Sequence, residues 1–422
     1  MSVSDNLSGI TAAGIVAEYN PFHNGHAYQI QEVRRRSRAG FVAVVMSGDF
    51  VQRGAPALLD KYARAKMALL GGADLVLELP CAASCGSAAR FAQEAVRILD
   101  GLHIVRELWF GSEAGDIRPL LAISRILAAE PEDFRERLQK YLREGKSYPL
   151  ARHLALEEFL AGDGRALSAS CLKSPNNLLG IEYCAALERL NSSIRPRTLK
   201  RIGSGYHETG LAGCFGSASG IRRAVTAGRP AELERQMPPA VYAAFSEALQ
   251  KEGFLEADDF SLLLKCRLLE GGAESLLPFL PEDTARRAAA LRNRFLSFTQ
   301  FAELVKTRER TRSSIDRGFL HLLLGIPSGA GTPSGAAFSA SLPCRTLTDA
   351  GIVRVLGFRR RAVPLLSSVK RAGGLSMEAR PAALPAEEYG TDLFASNLYE
   401  AVRSQKMAQP FREERTRQPV IL

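Results

Sequence analysis

The sequence predicts an α/β fold built on a Rossmann-like parallel sheet, and three observations support this. Apolar runs alternate with helix-compatible segments over the first 110 residues, which is typical of βαβ units. The runs FVAVVMS (41–47) and DLVLELP (74–80) are continuously apolar, as strands buried on both faces of a sheet are. Polar loops follow these runs, and open parallel sheets bind ligands beyond the carboxyl ends of their strands. We therefore expect a binding site where the first strands end.

The elements of the sheet follow in order along the chain. Strands are predicted at 14–19, 41–47, 74–80 and 104–110. Helices are predicted at 26–37, from Asp60 as N-cap to Gly71, and at 87–99. This region predicts a sheet with helices between its strands.

The remainder of the chain is mostly helical in pattern. Residues 117–165 and 230–300 are rich in helix formers, and a loop at 216–225 enters a helix. The small and polar stretch 326–341 predicts a flexible loop, and 351–366 holds a short strand-like run flanked by arginines. The last forty residues carry few periodic signals. We predict a catalytic domain at 1–230 and a mainly helical, basic region at 231–422.

Composition limits the classes of protein and the compartment. The 422 residues contain no apolar run near the ~20 that a membrane helix needs, and the N-terminus lacks the pattern of a signal peptide. The seven cysteines are scattered without a CxxC pair, which favours reduced thiols. These features predict a cytoplasmic protein with no membrane partner. They do not indicate an oligomeric state.

The net charge of +10 is concentrated in one stretch. Residues 306–372 hold twelve Lys and Arg but only three acidic residues, so this segment alone carries +9. A polyanion-binding face is the functional interpretation of such a segment. A solvated basic surface is the alternative.

The sequence EYNPFHNGHAYQI places His23 and His26 directly after the first predicted strand. A metal site would need a third ligand, and none is nearby; an acid–base pair would need an orienting carboxylate. Because a helix begins near His26, the histidines can instead donate to phosphate oxygens at its N-terminus and stabilise developing charge. Buried structural histidines are the competing interpretation, and the pattern alone does not decide.

A second candidate anion loop lies far along the chain. Ser217, Ser219 and Arg222 stand at the predicted start of a helix, where hydroxyls, backbone amides and a guanidinium suit a triphosphate. An ordinary helix cap has the same composition.

Together these loops make the sequence resemble a known family. GIVAEYNPFHNGHAYQI, the long segment from VVMSGDF to LVLELP, FGSEAGDI, SPNNLLGIEY and RIGSGYH stand in the order found in the tRNA(Met) cytidine acetate ligase family, nucleotidyltransferases with an H-x-G-H motif. KTRERTRSSIDRGFLHLLLGI and RVLGFRRRAVPLL are similar to its C-terminal signatures. The resemblance covers roughly residues 13–370.

The resemblance implies a set of site residues. His23 and His26 would be catalytic, as charge stabilisers rather than metal ligands. Asn176 is preferred to Asn177 as a nucleotide contact, although chemistry alone does not separate them. Gly220 stands where the family pattern has Ser or Thr, which removes one hydroxyl donor. The ATP-binding residues would be Gly14, Ile15, Val16, Glu18, Tyr19, Asn20, Pro21, Phe22, His23, Gly25, His26, Gly111, Asn176, Arg201, Ser217, Ser219 and Arg222.

The resemblance also implies a reaction. ATP, accompanied by Mg²⁺, would activate acetate, and the acetyl group would pass to N4 of the wobble cytidine of elongator tRNA(Met). The general base for the cytidine amine is not indicated. The basic segment would hold RNA through Arg308, Arg312, Arg354, Arg359, Arg360 and Arg361. Two alternatives are an enzyme that adenylylates a small phosphorylated metabolite and a non-catalytic RNA-binding protein.

Overall fold

Ten strands and sixteen α-helices are assigned in the part of the chain that the computed structural model describes, residues 9–146, 148–162, 171–172, 174–201, 216–327 and 346–422. The strands are β1 Ala12–Ala17, β2 Phe41–Ser47, β3 Phe50–Val51, β4 Ala55–Pro56, β5 Leu75–Leu79, β6 Val105–Ser112, β7 Arg195–Lys200, β8 Ile352–Phe358, β9 Ser376–Glu378 and β10 Val420–Ile421. The helices are α1 Asn24–Arg36, α2 Lys61–Leu70, α3 Cys81–Ser84, α4 Ala88–Gly101, α5 Ile117–Ala129, α6 Glu132–Arg143, α7 Tyr148–Gly162, α8 Pro175–Arg189, α9 Ala218–Thr226, α10 Pro239–Glu252, α11 Ser261–Leu269, α12 Glu282–Leu291, α13 Phe298–Val305, α14 Arg312–Leu324, α15 Val363–Arg371 and α16 Ala386–Lys406.

A mostly parallel sheet with β1 near its centre organises the fold. Its strand order is β10-β8-β5-β2-β1-β6-β7, with β9 beside β8. Strands β5, β2, β1, β6 and β7 are parallel, so their carboxyl ends share one edge, whereas β8 runs antiparallel to β5. The predicted α/β class with a parallel sheet and helical C-terminal region is confirmed.

Successive residues of β1 face the two halves of the core. Ala12 packs among buried residues of α4, α5 and α8, whereas Ala13 and Ile15 pack among those of α1, α2 and α10. A continuously apolar strand is what a sheet covered on both faces requires. At Gly14 a Cβ would lie 2.8 Å from Leu99 Cδ1, so this glycine lets α4 approach β1.

The C-terminal region contributes to the sheet as well as to a helical lobe. Helices α11 to α14 and part of α16 share a core of their own. Strands β8 and β10 nevertheless extend the sheet, so the sheet crosses the predicted domain boundary at residue 230. That boundary stays a prediction.

A buried ionic cluster joins the two regions. The Nζ of Lys61 lies 2.7 Å from Glu78 Oε1 and 2.9 Å from Glu414 Oε1, and all three residues are buried. The turn between β3 and β4 also fits closely against α14, because a Cβ on Gly54 (φ 77°) would collide with the backbone of Arg317. This contact holds the start of α14 close to the loop after β2.

The predicted elements match the observed ones to within about two residues in the first 110 positions. The largest difference from the sequence analysis lies in the last forty residues. They showed few periodic signals, but they contain the 21-residue helix α16. Most of the predicted loop at 326–341 lies outside the described residues.

Candidate active site

A cavity of about 1110 Å³ opens at the carboxyl ends of β1 and β6. This volume is slightly above the usual range for small-molecule sites, about 300–1,000 Å³. Predicted ATP-binding residues that line it are Val16, Glu18, Tyr19, Asn20, His26, Gly111, Asn176, Arg201 and Arg222. The structure therefore brings together residues from five separate segments of the chain.

His23 and His26 form a capping box at the start of α1. The backbone N–H of Gly25 donates to Nδ1 of His23 (3.0 Å), and the N–H of His23 donates to Nδ1 of His26 (3.2 Å). The two imidazoles stack with their centroids 3.8 Å apart. At Gly25 a Cβ would lie 2.9 Å from His23 Cε1, so glycine makes room for the first ring.

These contacts determine how each imidazole can act. Because Nδ1 accepts a backbone proton in both rings, each neutral ring carries its own proton on Nε2. Burial, with the charges of Arg201 and Arg222, lowers the pKa of His23 to about 3. Burial, His23 and Arg201 lower the pKa of His26 as well. Without a bound anion both rings are therefore neutral N–H donors at pH 7, and His26 lines the cavity.

The loop between β1 and α1 is held by hydrogen bonds on both sides. The N–H of Leu58 donates to Asn20 Oδ1 (2.8 Å), and Arg222 Nη1 donates to the carbonyl oxygen of Asn20 (2.7 Å). The buried Arg64 guanidinium donates to the carbonyl oxygens of Glu18 (2.7 Å) and Ser47 (3.1 Å). The loop is thus fixed before any ligand binds, as electrostatic stabilisation requires.

The loop after β6 and the start of α8 form a second wall. Asn177 is buried, and its Oδ1 accepts from the backbone N–H groups of Glu113 (3.0 Å) and Ala114 (3.1 Å). Asn176 lines the cavity instead, and its Nδ2 donates to Glu113 Oε1 (2.6 Å). Asn177 therefore shapes the loop, whereas Asn176 is available to a ligand, in line with the preferred choice.

Arg201 follows β7 and crosses Gly111. Its side chain is exposed toward the cavity, and a Cβ on Gly111 would lie 3.2 Å from Arg201 Cγ. Glycine therefore lets the arginine pass over the end of β6 toward the histidines, whose pKa values its charge lowers.

Eight predicted ATP-binding residues do not line the cavity. Ile15 and Phe22 are fully buried, and Phe22 packs on Gly71. Their side chains therefore cannot contact ATP in the cavity, and the prediction is corrected on this point. The Ser217 hydroxyl caps α9 by accepting from the N–H of Gly220 (3.1 Å), and that of Ser219 accepts from Arg222 (3.3 Å). The eight are Gly14, Ile15, Pro21, Phe22, His23, Gly25, Ser217 and Ser219.

Several residues that line the cavity were not in the predicted site. A polar wall is formed by Tyr148 and Arg152 of α7 with Glu182 and Arg189 of α8. Thr311, Ser313 and Arg317 at the start of α14 line another part, together with Gln52 and Arg53. The segment around Arg317 carried a family signature but no sign of its close approach to Gly54.

Some arginines of the basic segment form ion pairs with acidic residues. Arg310 pairs with Asp283 (3.2 Å) and Arg312 pairs with both Glu303 (3.2 Å) and Asp316 (2.8 Å). A charge counted along the sequence is therefore not the charge of a surface. Arg308 and Arg360 are exposed and stay predicted RNA contacts, as does the partly exposed Arg312.

One of the predicted RNA contacts is a correction, and two others bind protein groups in the structure. Arg354 is 1% exposed and donates to the carbonyl oxygens of Val355 and Ala379, so it cannot reach RNA. Arg359 donates to the carbonyl oxygen of Leu69 (3.0 Å), and Arg361 pairs with buried Asp74 (2.7 Å). Arg359 is partly exposed and Arg361 is exposed, so both stay predicted RNA contacts. Because Phe358 pairs with Leu75, these two arginines lie at the amino end of β5, across the sheet from the cavity.

The protein side chains of the cavity suit a metal ion that is bound together with a nucleotide. The described residues contain no group of three or more His, Cys, Asp or Glu able to hold an ion. Mg²⁺ is commonly held by substrate phosphates, water and one or two carboxylates, and Glu18 is a carboxylate that lines the cavity after β1. None of the described helices has the length and apolar character needed to cross a bilayer.

The sheet, the H-x-G-H loop and the shared cavity define a class of protein. A model of the HIGH Nucleotidyl Transferase family matches residues 10–414, so the chain belongs to that family. Within this class it belongs to the tRNA(Met) cytidine acetate ligase family.

The relatives that define this narrower family are similar over most of their length. A tRNA(Met) cytidine acetate ligase of Acetivibrio thermocellus is 36% identical over 86% of each chain. One of Caldicellulosiruptor saccharolyticus is 39% identical over 85% of each chain. The apo crystal structure of Thermotoga maritima TmcAL superposes with a TM-score of 0.88 at 27% identity, covering 98% of this chain and 100% of that one. A second TmcAL structure, with bound α-thio ATP, gives 0.85 at 26% identity and the same coverage.

Proposed function

We propose that this protein is an ATP-dependent ligase that acetylates N4 of the wobble cytidine in elongator tRNA(Met), with acetate as the acyl donor. The observation that carries the proposal is the Nε2–H donor of His26, which lines the cavity, is fixed at the start of α1 by its capping box with His23 and is faced by Arg201. Such a site suits the phosphates of ATP, and the family membership supplies the substrates.

In the first step an oxygen of acetate attacks the α-phosphorus of ATP. The bond to the bridging oxygen breaks, pyrophosphate leaves and acetyl-adenylate remains. The side chain of His26 donates through Nε2 to a phosphate oxygen, and the guanidinium of Arg201 compensates the charge that builds on the leaving group. Since the loop is already held by Arg64 and Arg222, little reorganisation accompanies the reaction.

In the second step the exocyclic amine of cytidine attacks the acetyl carbonyl carbon. The bond from that carbon to the adenylate oxygen breaks, AMP leaves and the amine loses one proton. The base must leave its stack to reach the cavity, as in other enzymes that act on a nucleobase. Residues of α14 that line the cavity, including Arg317, support entry of RNA from the side of the helical lobe.

Mg²⁺ would enter with ATP and screen the triphosphate, with Glu18 as the nearest candidate carboxylate. We expect the enzyme to act in the cytoplasm, where tRNA and ATP are both present.

The test is incubation of the full-length protein with ATP, ¹⁴C-acetate and bulk tRNA, followed by nucleoside analysis. We expect label in N4-acetylcytidine and acetate-dependent exchange of pyrophosphate into ATP. Pyrophosphate exchange that requires an added phosphorylated metabolite in place of acetate, and no label in RNA, would instead favour adenylylation of that metabolite. RNA binding without either reaction would indicate the non-catalytic protein.

A further inference from the structure

The wall of the cavity between α7 and α8 contains a polar pair that the ATP site does not use. Arg152 Nη1 lies 2.5 Å from Glu182 Oε1, and both residues line the cavity. Glu182 is 4% exposed, and the side chain of Arg152 is 22% exposed. We call this pair, together with Tyr148, the Glu182 subsite.

The second carboxylate oxygen of Glu182 lacks a hydrogen-bond donor. Among the described residues Oε2 is buried and accepts no hydrogen bond. A buried, unsatisfied carboxylate oxygen is costly, and such atoms in a folded protein call for a ligand or another specific cause. Because Glu182 lines the cavity, a rotation of its carboxylate brings Oε2 within reach of a donor on a bound substrate.

Tyr148 gives the subsite an aromatic surface. It is 47% exposed and lines the cavity. Glu130, Arg152, Glu182 and Arg189 line the same cavity. An exposed aromatic ring beside arginines is typical of sites that stack an unpaired base.

We propose that the Glu182 subsite binds the unstacked cytosine of the tRNA by its Watson–Crick edge. That edge presents a donor at N4 and acceptors at N3 and O2. The Glu182–Arg152 pair presents the complement, with Oε2 accepting from N4 and the guanidinium donating to N3 and O2. Uracil carries an acceptor at position 4, which the carboxylate repels. Glu182 is thus a specificity-determining residue, and this inference rests on the proposed function.

The adenine of ATP is the other amino-bearing base in the reaction. We assign the subsite to cytosine for two reasons. Gly111, Asn176 and Arg201, which match the nucleotide contacts of the family, lie at the ends of β6 and β7 and the start of α8. Adenine also lacks an acceptor equivalent to O2, so it would leave part of the Arg152 fork unused.

The test uses the full-length enzyme, ATP, acetate and two tRNA(Met) transcripts that carry cytidine or uridine at the wobble position. The KM of the cytidine transcript is compared with the inhibition constant of the uridine transcript. The wild-type protein should favour cytidine about tenfold or more. Glu182→Gln should lower that ratio several-fold, because the amide can donate to uracil O4 as readily as it accepts from cytosine N4, while Arg152 still favours the unprotonated N3 of cytosine.

A matched control is Glu158→Gln on α7, whose carboxylate pairs with Arg137 (2.7 Å) and does not line the cavity. It should leave the ratio at the wild-type value. Tyr148→Ala, at an exposed position, should weaken both transcripts about tenfold and equally, which keeps the test usable if Glu182→Gln fails to fold.

An unchanged ratio in folded Glu182→Gln, or unchanged binding in Tyr148→Ala, would overturn the assignment. If Glu182→Gln has a higher KM for ATP in pyrophosphate exchange without tRNA, the subsite binds adenine. That result would overturn the assignment to cytosine as well. A wild-type protein that lacks acetate-dependent pyrophosphate exchange would contradict the proposed function itself.

Discussion

Arginines on the two sides of the sheet have opposite surroundings. At the carboxyl edge, Arg201 is exposed toward the cavity, and its charge lowers the pKa of both histidines. At the amino edge, Arg359 and Arg361 are bound to a carbonyl oxygen and to the buried carboxylate of Asp74. The comparison shows that an arginine is available to a ligand where protein acceptors are scarce. Where such acceptors are plentiful, the arginine stabilises the fold.

The largest effect is expected at His26 itself. His26→Ala removes the cavity-lining Nε2–H donor, so acetate-dependent pyrophosphate exchange should fall about 10²-fold or more while tRNA still binds. His26→Glu is the control, because glutamate at this position restores the acceptor of the capping box but offers no N–H donor to a phosphate. Recovery of activity in His26→Glu would mean that the histidine only caps α1.

Arg354→Met tests the arginine that lies deepest among those predicted to bind RNA. Loss of its buried hydrogen bonds to two carbonyl oxygens and to Tyr62 should lower the free energy of unfolding by about 3 kcal/mol. Urea unfolding measures this, and filter binding should give an unchanged affinity for tRNA. Exposed Arg308→Met is the partner variant, for which we expect unchanged stability. Weaker tRNA binding by a stable Arg354→Met protein would restore Arg354 as an RNA contact.

A matched pair of alanine variants compares the two edges directly. Arg201→Ala should raise the KM for ATP about tenfold, because a charge-assisted contact to phosphate is lost. Arg361→Ala should leave that KM unchanged and lower the melting temperature, since Asp74 loses one of its two arginine partners. Steady-state pyrophosphate exchange and thermal unfolding give the two readouts. Equal changes in the KM for ATP in Arg201→Ala and Arg361→Ala would show that the two edges of the sheet do not differ in ATP binding.

The smallest effect is a pH dependence of stability. Folding lowers the pKa of His23 from about 6.5 to about 3, so between these values the unfolded chain binds more protons. Stability therefore falls as the pH drops below 6.5. His23→Asn keeps an N-cap acceptor but does not titrate. Between pH 7 and pH 5 its free energy of unfolding should therefore fall by about 1–2 kcal/mol less than that of the wild type. The free energy of unfolding is measured with urea at both pH values. If the wild type and His23→Asn lose the same amount between pH 7 and pH 5, His23 is not buried in its neutral form.

Local patterns predicted the sheet and the histidine loop because both depend on neighbours in sequence. The strand 41–47 and the cap at Asp60 are observed as predicted. Helix α16 was missed because its buried face carries Asp392, Ser396 and Glu400, which hide the apolar period.

Long-range pairing accounts for the parts of the site that sequence did not reveal. Arg310 and Asp283 are 27 residues apart, and Arg361 and Asp74 are 287 apart, so a count of charge along the chain could not see their neutralisation. Glu182 lies within the quoted SPNNLLGIEY motif, but only its position opposite Arg152 gives it a role. Asn176 could be separated from Asn177 only by the buried hydrogen bonds of the latter.

The most direct measurement is an experimental structure of this protein with a non-hydrolysable ATP analogue and Mg²⁺. We predict a triphosphate at the carboxyl edge, with a phosphate oxygen within hydrogen-bond distance of His26 Nε2 and of the Arg201 guanidinium. A nucleotide bound at the amino edge beside Arg359 and Arg361, or one in the cavity without a contact to His26, would contradict this account.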